Sequence, residues 1–205
     1  MNFLMYQYMD REYTETDFSG SDLREGELRG CTFIRCRFRG TRLEESHTYA
    51  CRFIECDFTN AQLNASVHTG SAFTNCRFNG ANLFVAKLEE CKMVGSDFTE
   101  ANMDGMTIRG GDWSYTLLRH VNLAKQNLRG IRFLEADLYS AGLEKADLRD
   151  ADFTRANLAK AKLGGADLRG AAMEGVDFKA LDVKGARLDT GQAILLARSL
   201  GAKVN

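Results

Sequence analysis

The chain has 205 residues, 44% of them hydrophobic, with 27 basic against 28 acidic side chains and a formal net charge of −1. A single domain is expected at this length, and so even a balance gives no sign of direct nucleic-acid binding. No apolar run approaches the ~18 residues of a membrane-spanning helix, so no membrane association is expected.

The first segment, residues 1–15, reads as an N-terminal cap. Its MNFLMYQYMDREY lacks a basic leader and a long apolar stretch, so no secretory signal is expected and the chain reads as cytoplasmic.

Residues 16–189 follow a period of five. Stepping by five from Phe18 to Leu188 samples 35 positions, and 33 are Phe, Leu, Met, Ile, Val or Trp, where composition alone gives about 15. That period is neither the 3.6 of a helix nor the 2 of a simple strand, and a sustained short repeat means a stacked solenoid. Taking the apolar residue as the centre, the residue two before it is small, as in the run from Ala136 to Ala171. The residue one before it is often Asp or Asn, as at Asp137, Asp147 and Asn157. Thirteen of the 19 glycines stand two after the centre, where tight corners demand positive φ. Proline is absent, as expected where most N–H groups join a ladder.

Cys31, Cys36, Cys51, Cys56, Cys76 and Cys91 all fall on the small inward position. They read as free interior filler; paired CxxC spacing is missing, so no metal site and no cofactor are expected. Phosphate-cradling glycine loops, HExxH and GxSxG are likewise missing, and no catalytic residue is assigned: the chain reads as a non-enzyme. Charge is uneven. Residues 10–27 hold seven carboxylates, 28–43 hold five arginines and no acid, and 89–104 are again acidic.

Only Thr48 and His68 break the apolar series, and Phe84 is the one phenylalanine outside it when the frame is extended back to Phe3. This predicts a local distortion that turns apolar groups outward. The candidate partner-contact patch is Tyr49, His68, Phe84, Val85, Glu89 and Glu90.

The repeat ends at Leu188. In residues 190–205, Asp189 or Thr190 N-caps a helix running to about Leu200, with Gly201 as its stop. The helix carries more apolar surface than capping requires. A two-fold pairing of C-terminal ends follows, through Leu188, Ala193, Leu196 and Leu200.

The pattern A(D/N)LXX, seen directly in ADLRD (146–150), ADFTR (151–155) and ANLAK (156–160), resembles the pentapeptide-repeat family. The resemblance implies an all-β, right-handed quadrilateral β-helix with four repeats per 20-residue coil, about nine coils in all, closed by a C-terminal capping and dimerisation helix. In that coil, residues 20 apart stack: Phe33, Phe53 and Phe73 form one column, Phe18, Phe38, Phe58, Phe78 and Phe98 the next.

The tail LDTGQAILLARSLGAKV is similar to the topoisomerase-protecting branch of that family, the Qnr, MfpA and AlbG proteins. Leu188, Asp189, Gln192, Ala193, Leu196, Leu200, Gly201 and Val204 carry the pattern. Residues 68–98 look especially like MfpA. This implies a homodimer that binds DNA gyrase or topoisomerase IV and protects it from quinolone- or albicidin-type poisons, in some members by DNA mimicry. A β-helical scaffold for another protein partner is the alternative reading. Two departures stand out: the loops that interrupt Qnr repeats have no counterpart between Leu23 and Leu188, and mimicry favours a more acidic chain.

Overall fold

A computed structural model describes residues 7–204. Phe3, the proposed start of the frame, lies outside the described residues. The chain forms two compact units, Met1–Asp112 and Trp113–Asn205.

The first unit contains all the regular strands. Strands β1 (Gln7–Met9), β3 (Glu27–Arg29), β5 (His47–Tyr49), β7 (Val67–Thr69), β9 (Lys87–Glu89) and β10 (Thr107–Arg109) form one parallel sheet in that order. Strands β2 (Glu12–Thr14), β4 (Thr32–Ile34), β6 (Arg52–Ile54) and β8 (Ala72–Thr74) form the second. Each strand lies one coil from its neighbour: Gln7 pairs with Glu27, Thr32 with Arg52, Val67 with Lys87. The stacking therefore already includes residues 7–15, within the segment expected to be a separate cap.

Regular strands make about 5 turns, where about nine coils were expected. The remaining repeats keep the same register through single-residue bridges such as Leu117↔Asp137, Asp147↔Asp167 and Asp167↔Arg187. The residue before the centre explains the difference. Asp or Asn there folds back on the chain: Asp147 accepts from the Arg149 N–H at 3.2 Å, and Asp152 from Thr154 at 2.9 Å. This local bond turns the segment away from extended geometry. All ten strands begin on another residue type, for example Thr32, His47, Arg52 and Val67. Arg37, Arg42 and Lys92 also lack that bond yet only bridge, each beside an Asp one coil away: Asp17, Asp22 and Asp112.

The centres are buried from Leu23 to Phe178; Tyr13, Phe18, Val183 and Leu188, towards the ends, are half-buried. In the first unit, Tyr13, Phe33, Phe53 and Phe73 stack at centroid spacings of 5.2, 4.7 and 4.6 Å. Phe18, Phe38, Phe58, Phe78 and Phe98 repeat this in the adjacent column, and rings of the two columns meet edge to face. Both arrangements are favoured by the ring quadrupole. In the second unit the first of these columns stays aromatic at Trp113, Phe133 and Phe153, while the other turns to leucine at Leu118, Leu138 and Leu158, all essentially inaccessible.

Corners fall two residues after each centre and adopt positive φ, for Glu45, Val85 and Lys160 as well as for glycines. Left-handed geometry costs an ordinary residue about 1 kcal/mol, so glycine here relieves strain without being obligatory. Gly111 is different. It stands at an inward position with φ of +91°, and a Cβ would collide with the Cys91 carbonyl.

The second unit ends in a 3-10 turn, Phe178–Ala180, and helix α1, Thr190–Ser199. Asp189 caps α1 through a reciprocal bond with Gln192.

Candidate functional site

The predicted partner patch separates into three parts. Phe84 and Val85 are 48% and 39% exposed, unusually so for large apolar side chains here. Phe84 is fixed by its backbone: its N–H donates to Asn82 Oδ1 at 3.2 Å, and its carbonyl accepts from the Ala65 N–H at 2.9 Å. Val85 occupies the corner at φ 52°, which points its side chain outward, and its N–H donates to the Asp104 carbonyl at 2.9 Å. Tyr49 lies on another face, half-buried under the Arg29 guanidinium, 4.3 Å from its ring centroid. Glu89 and Glu90 lie on that face in a later coil, half-buried and exposed respectively.

His68 belongs to the interior. It is 2% exposed, with its ring between Thr48 and Ser66. It cannot touch a partner, and this corrects its place in the patch. The expected distortion is also missing: β7 runs through His68 in unbroken register between β5 and β9. Burial, with a smaller contribution from His47, pushes its pKa down to about 4.

Charge is redistributed by stacking. The acidic run 10–27 meets the arginine run 28–43 one coil on: Glu15 pairs with Arg35 at 3.0 Å, Asp17 with Arg37 at 3.8 Å, Asp22 with Arg42 at 3.6 Å. Asp22 also receives a forked bond from Arg24, which lowers its pKa to about 2. These two runs largely cancel. Among the described residues, Glu89, Glu90, Glu100 and Asp104 enter no ion pair. The unit Met1–Asp112 contains 12 basic and 17 acidic side chains, a net −5; the other unit contains 15 and 11, a net +4. The neutral total conceals this division.

At the C-terminus, Leu188 and Leu196 are half-buried, Ala193 is exposed and Leu200 is 69% exposed. Leu195, not among the predicted contacts, is 40% exposed. Gln192 is buried: its Nε2 donates to the Leu168 and Ala171 carbonyls at 2.5 and 2.9 Å, closing acceptors at the end of the coil stack. Asp189 Oδ2 accepts from the Gly170 N–H at 2.8 Å. Only the helix-capping role of Asp189 was visible in the sequence. The docking of both residues on the preceding coil was not, because a helix cap looks the same whatever lies beneath it.

All six cysteines are free and buried. Their thiols point at backbone carbonyls, as Cys56 does to Phe33 O at 3.4 Å. Burial raises the pKa of Cys51 and Cys91 to about 11, far from thiolate reactivity. A corner groove lined by Arg35, Arg37, Glu55, Asp57 and Arg77 is open and of mixed charge. No cluster of His, Cys, Asp and Glu among the described residues is arranged to hold a metal. Nor is any helix in them long and apolar enough to cross a membrane.

The ladder, the four inward columns and the five-residue frame define a pentapeptide-repeat solenoid. The family profile for a pentapeptide repeat region matches residues 6–83, and that for pentapeptide repeats (8 copies) matches 76–112, 116–155 and 151–189. The chain belongs to the pentapeptide-repeat family. No curated protein sequence gives a match. Among solved structures, a trypsin-treated variant of QnrB1, a plasmid-mediated fluoroquinolone resistance protein, superposes with a TM-score of 0.75 at 23% identity, covering 98% of each chain. Full-length QnrB1 superposes at 0.73 and 20% identity, over 96% of this chain and 100% of its own. HetL from the cyanobacterium Nostoc, involved in heterocyst differentiation regulation, is 26% identical over 91% of this chain and 88% of its own, with a TM-score of 0.39.

Proposed function

We propose that this protein binds a type II DNA topoisomerase, gyrase or topoisomerase IV, and protects it from quinolone- or albicidin-type poisons. The observation that carries this reading is the tail. Residues Leu188 to Val204, on which the likeness to the topoisomerase-protecting branch rests, build a capped helix that seals the coil stack and leaves Leu195 and Leu200 exposed. The fold shared with QnrB1 over almost the whole of both chains supports it.

The partner of the exposed helix is a second copy of the chain, giving a homodimer through its C-terminal ends. Leu196→Arg yields a folded monomer in this reading, because the introduced charge is buried against its own copy. The surface offered to the topoisomerase is the Phe84–Val85 corner with the unpaired Glu89, Glu90, Glu100 and Asp104. Mimicry of DNA rests on these carboxylates and on the net −5 of their unit, since Glu15, Asp17 and Asp22 of the more N-terminal run already pair with arginines. The protein works by occupying a surface and catalyses nothing. It acts in the cytoplasm, where its target is found.

The test is a gyrase supercoiling and DNA-cleavage assay with and without a quinolone, titrated with the protein. Relief of drug-stabilised cleavage supports the proposal. No binding at micromolar concentration, with cleavage and supercoiling both unchanged, favours a scaffold for another partner.

A further inference from the structure

The five-residue frame leaves a problem of register. Nearly every centre is apolar, so sliding one coil past the next by five residues still places apolar side chains in every column. Register is weakly specified wherever the pattern repeats like this. One cluster in the core distinguishes the native alignment, and its proton positions can be deduced.

Ser66 Oγ lies 2.6 Å from the Leu63 carbonyl, which can only accept, so the Ser66 proton points there. Ser66 must then accept from His68 Nε2 at 2.9 Å, which places the ring proton on Nε2. The bare Nδ1 accepts from Thr48 Oγ1 at 2.8 Å. Thr48 has spent its proton, so the Ser71 Oγ proton, with the Thr69 carbonyl as a longer alternative at 3.3 Å, takes the shorter 3.0 Å path to Thr48 Oγ1, and Ser71 accepts from the Cys51 N–H at 3.1 Å. Five hydrogen bonds thus run in one direction, from the Cys51 amide through Ser71, Thr48, His68 and Ser66 to the Leu63 carbonyl. Bonds aligned in this way polarise one another, and Thr48, Ser66, His68 and Ser71 are all buried.

We propose that the Thr48–His68–Ser66–Ser71 chain is a register lock, closed only when successive coils are offset by 20 residues. A five-residue slip brings Thr48 opposite Leu63 or Phe73, and His68 opposite Leu43 or Phe53. The Ser66 bond to Nε2 is made within one coil and survives, but Nδ1 of the ring and the Thr48 hydroxyl then lose their partners inside an apolar core, which disfavours the slipped state. The lock also fixes the corner next to Phe84, because Ser66 closes the Leu63–Ser66 turn whose Ala65 N–H holds the Phe84 carbonyl.

The test compares the wild type with the double variant Thr48→Leu/His68→Leu, which makes the column uniformly apolar like its neighbours Leu28 and Leu88. Methyl NOEs read the register directly. The expected result is a folded double variant that, after refolding, shows extra resonances and contacts from Leu at 48 to Leu63 or Phe73, with about a tenth or more of molecules slipped. In the wild type, 15N shifts should report a proton on Nε2 and a ring that stays neutral through pH 5. A double variant with one set of resonances and only the native contact between positions 48 and 68 overturns the proposal. So does a variant that fails to fold, or a wild-type His68 that titrates near pH 6.5.

Discussion

The two units share one period and fill it differently. Residues 7–112 use rings at the centres, Cys, Ser and Thr beside them, and real strands on two faces. Residues 113–189 use mostly leucine centres, with rings only at Trp113, Phe133, Phe153 and Phe178, alanine beside them, and single bridges with Asp or Asn turns. The second unit approaches an ideal repeat, in which every coil is interchangeable. The first carries the departures: the buried polar chain, the Phe84–Val85 corner and the net −5 charge. Individuality, which recognition requires, is concentrated where the repeat is least regular.

The largest effect should come from the aromatic columns. Phe73, stacked at 4.6 Å on Phe53 and almost fully buried, should cost about 4 kcal/mol on replacement by alanine. Repeat stacks lose stability locally, so hydrogen exchange should accelerate more in the first unit than in the second. Equal acceleration in both would break the distinction between them.

Acid offers the next test. His68 has its pKa lowered from 6.5 to about 4, so the unfolded chain binds a proton that the folded one refuses. Stability should be intact above pH 6.5 and should fall by about 3 kcal/mol as the pH drops towards 4. The double leucine variant should lose that slope. Asp22 and the half-buried Asp167, both held near pKa 2 chiefly by arginine hydrogen bonds, lose their contributions only below about pH 4, outside this window.

Gln192→Ala removes two bonds to the last coil and half of the capping box. A loss of about 2 kcal/mol is expected in thermal or urea unfolding, with faster exchange near Leu168 and Ala171. The smallest stability change should follow Phe84→Ala, within about 0.5 kcal/mol, since half the ring is already in water. Gyrase binding should nonetheless weaken tenfold or more. Tyr115, equally exposed but in the second unit, serves as the control: Tyr115→Ala should leave binding unchanged. If the two variants behave alike, the first unit has no special claim to the contact.

Much of this was legible in the sequence. Period five located the inward positions and the end of the repeat, because burial repeats with the chain, whereas the 20-residue coil came from the family resemblance. Helix α1 was legible from Asp189 and Gly201. What escaped depended on neighbours one coil away. Ser71 occupies the small inward position, yet its hydroxyl bonds Thr48 and Cys51, both far along the chain. His68 invited a reading as a surface irregularity, although its place in the frame already put it inside. The acidic and arginine runs looked like separate patches until stacking paired them. A linear pattern shows which way a side chain points more readily than what it meets.

The central claim is recognition of a topoisomerase, and drug-stabilised cleavage by gyrase measures it most directly. With a quinolone at fixed concentration, adding this protein at micromolar levels should reduce linear DNA product and restore supercoiling, and Phe84→Ala should need at least tenfold more protein for the same relief. Undiminished cleavage at every concentration, by a protein shown to be folded, would contradict the account.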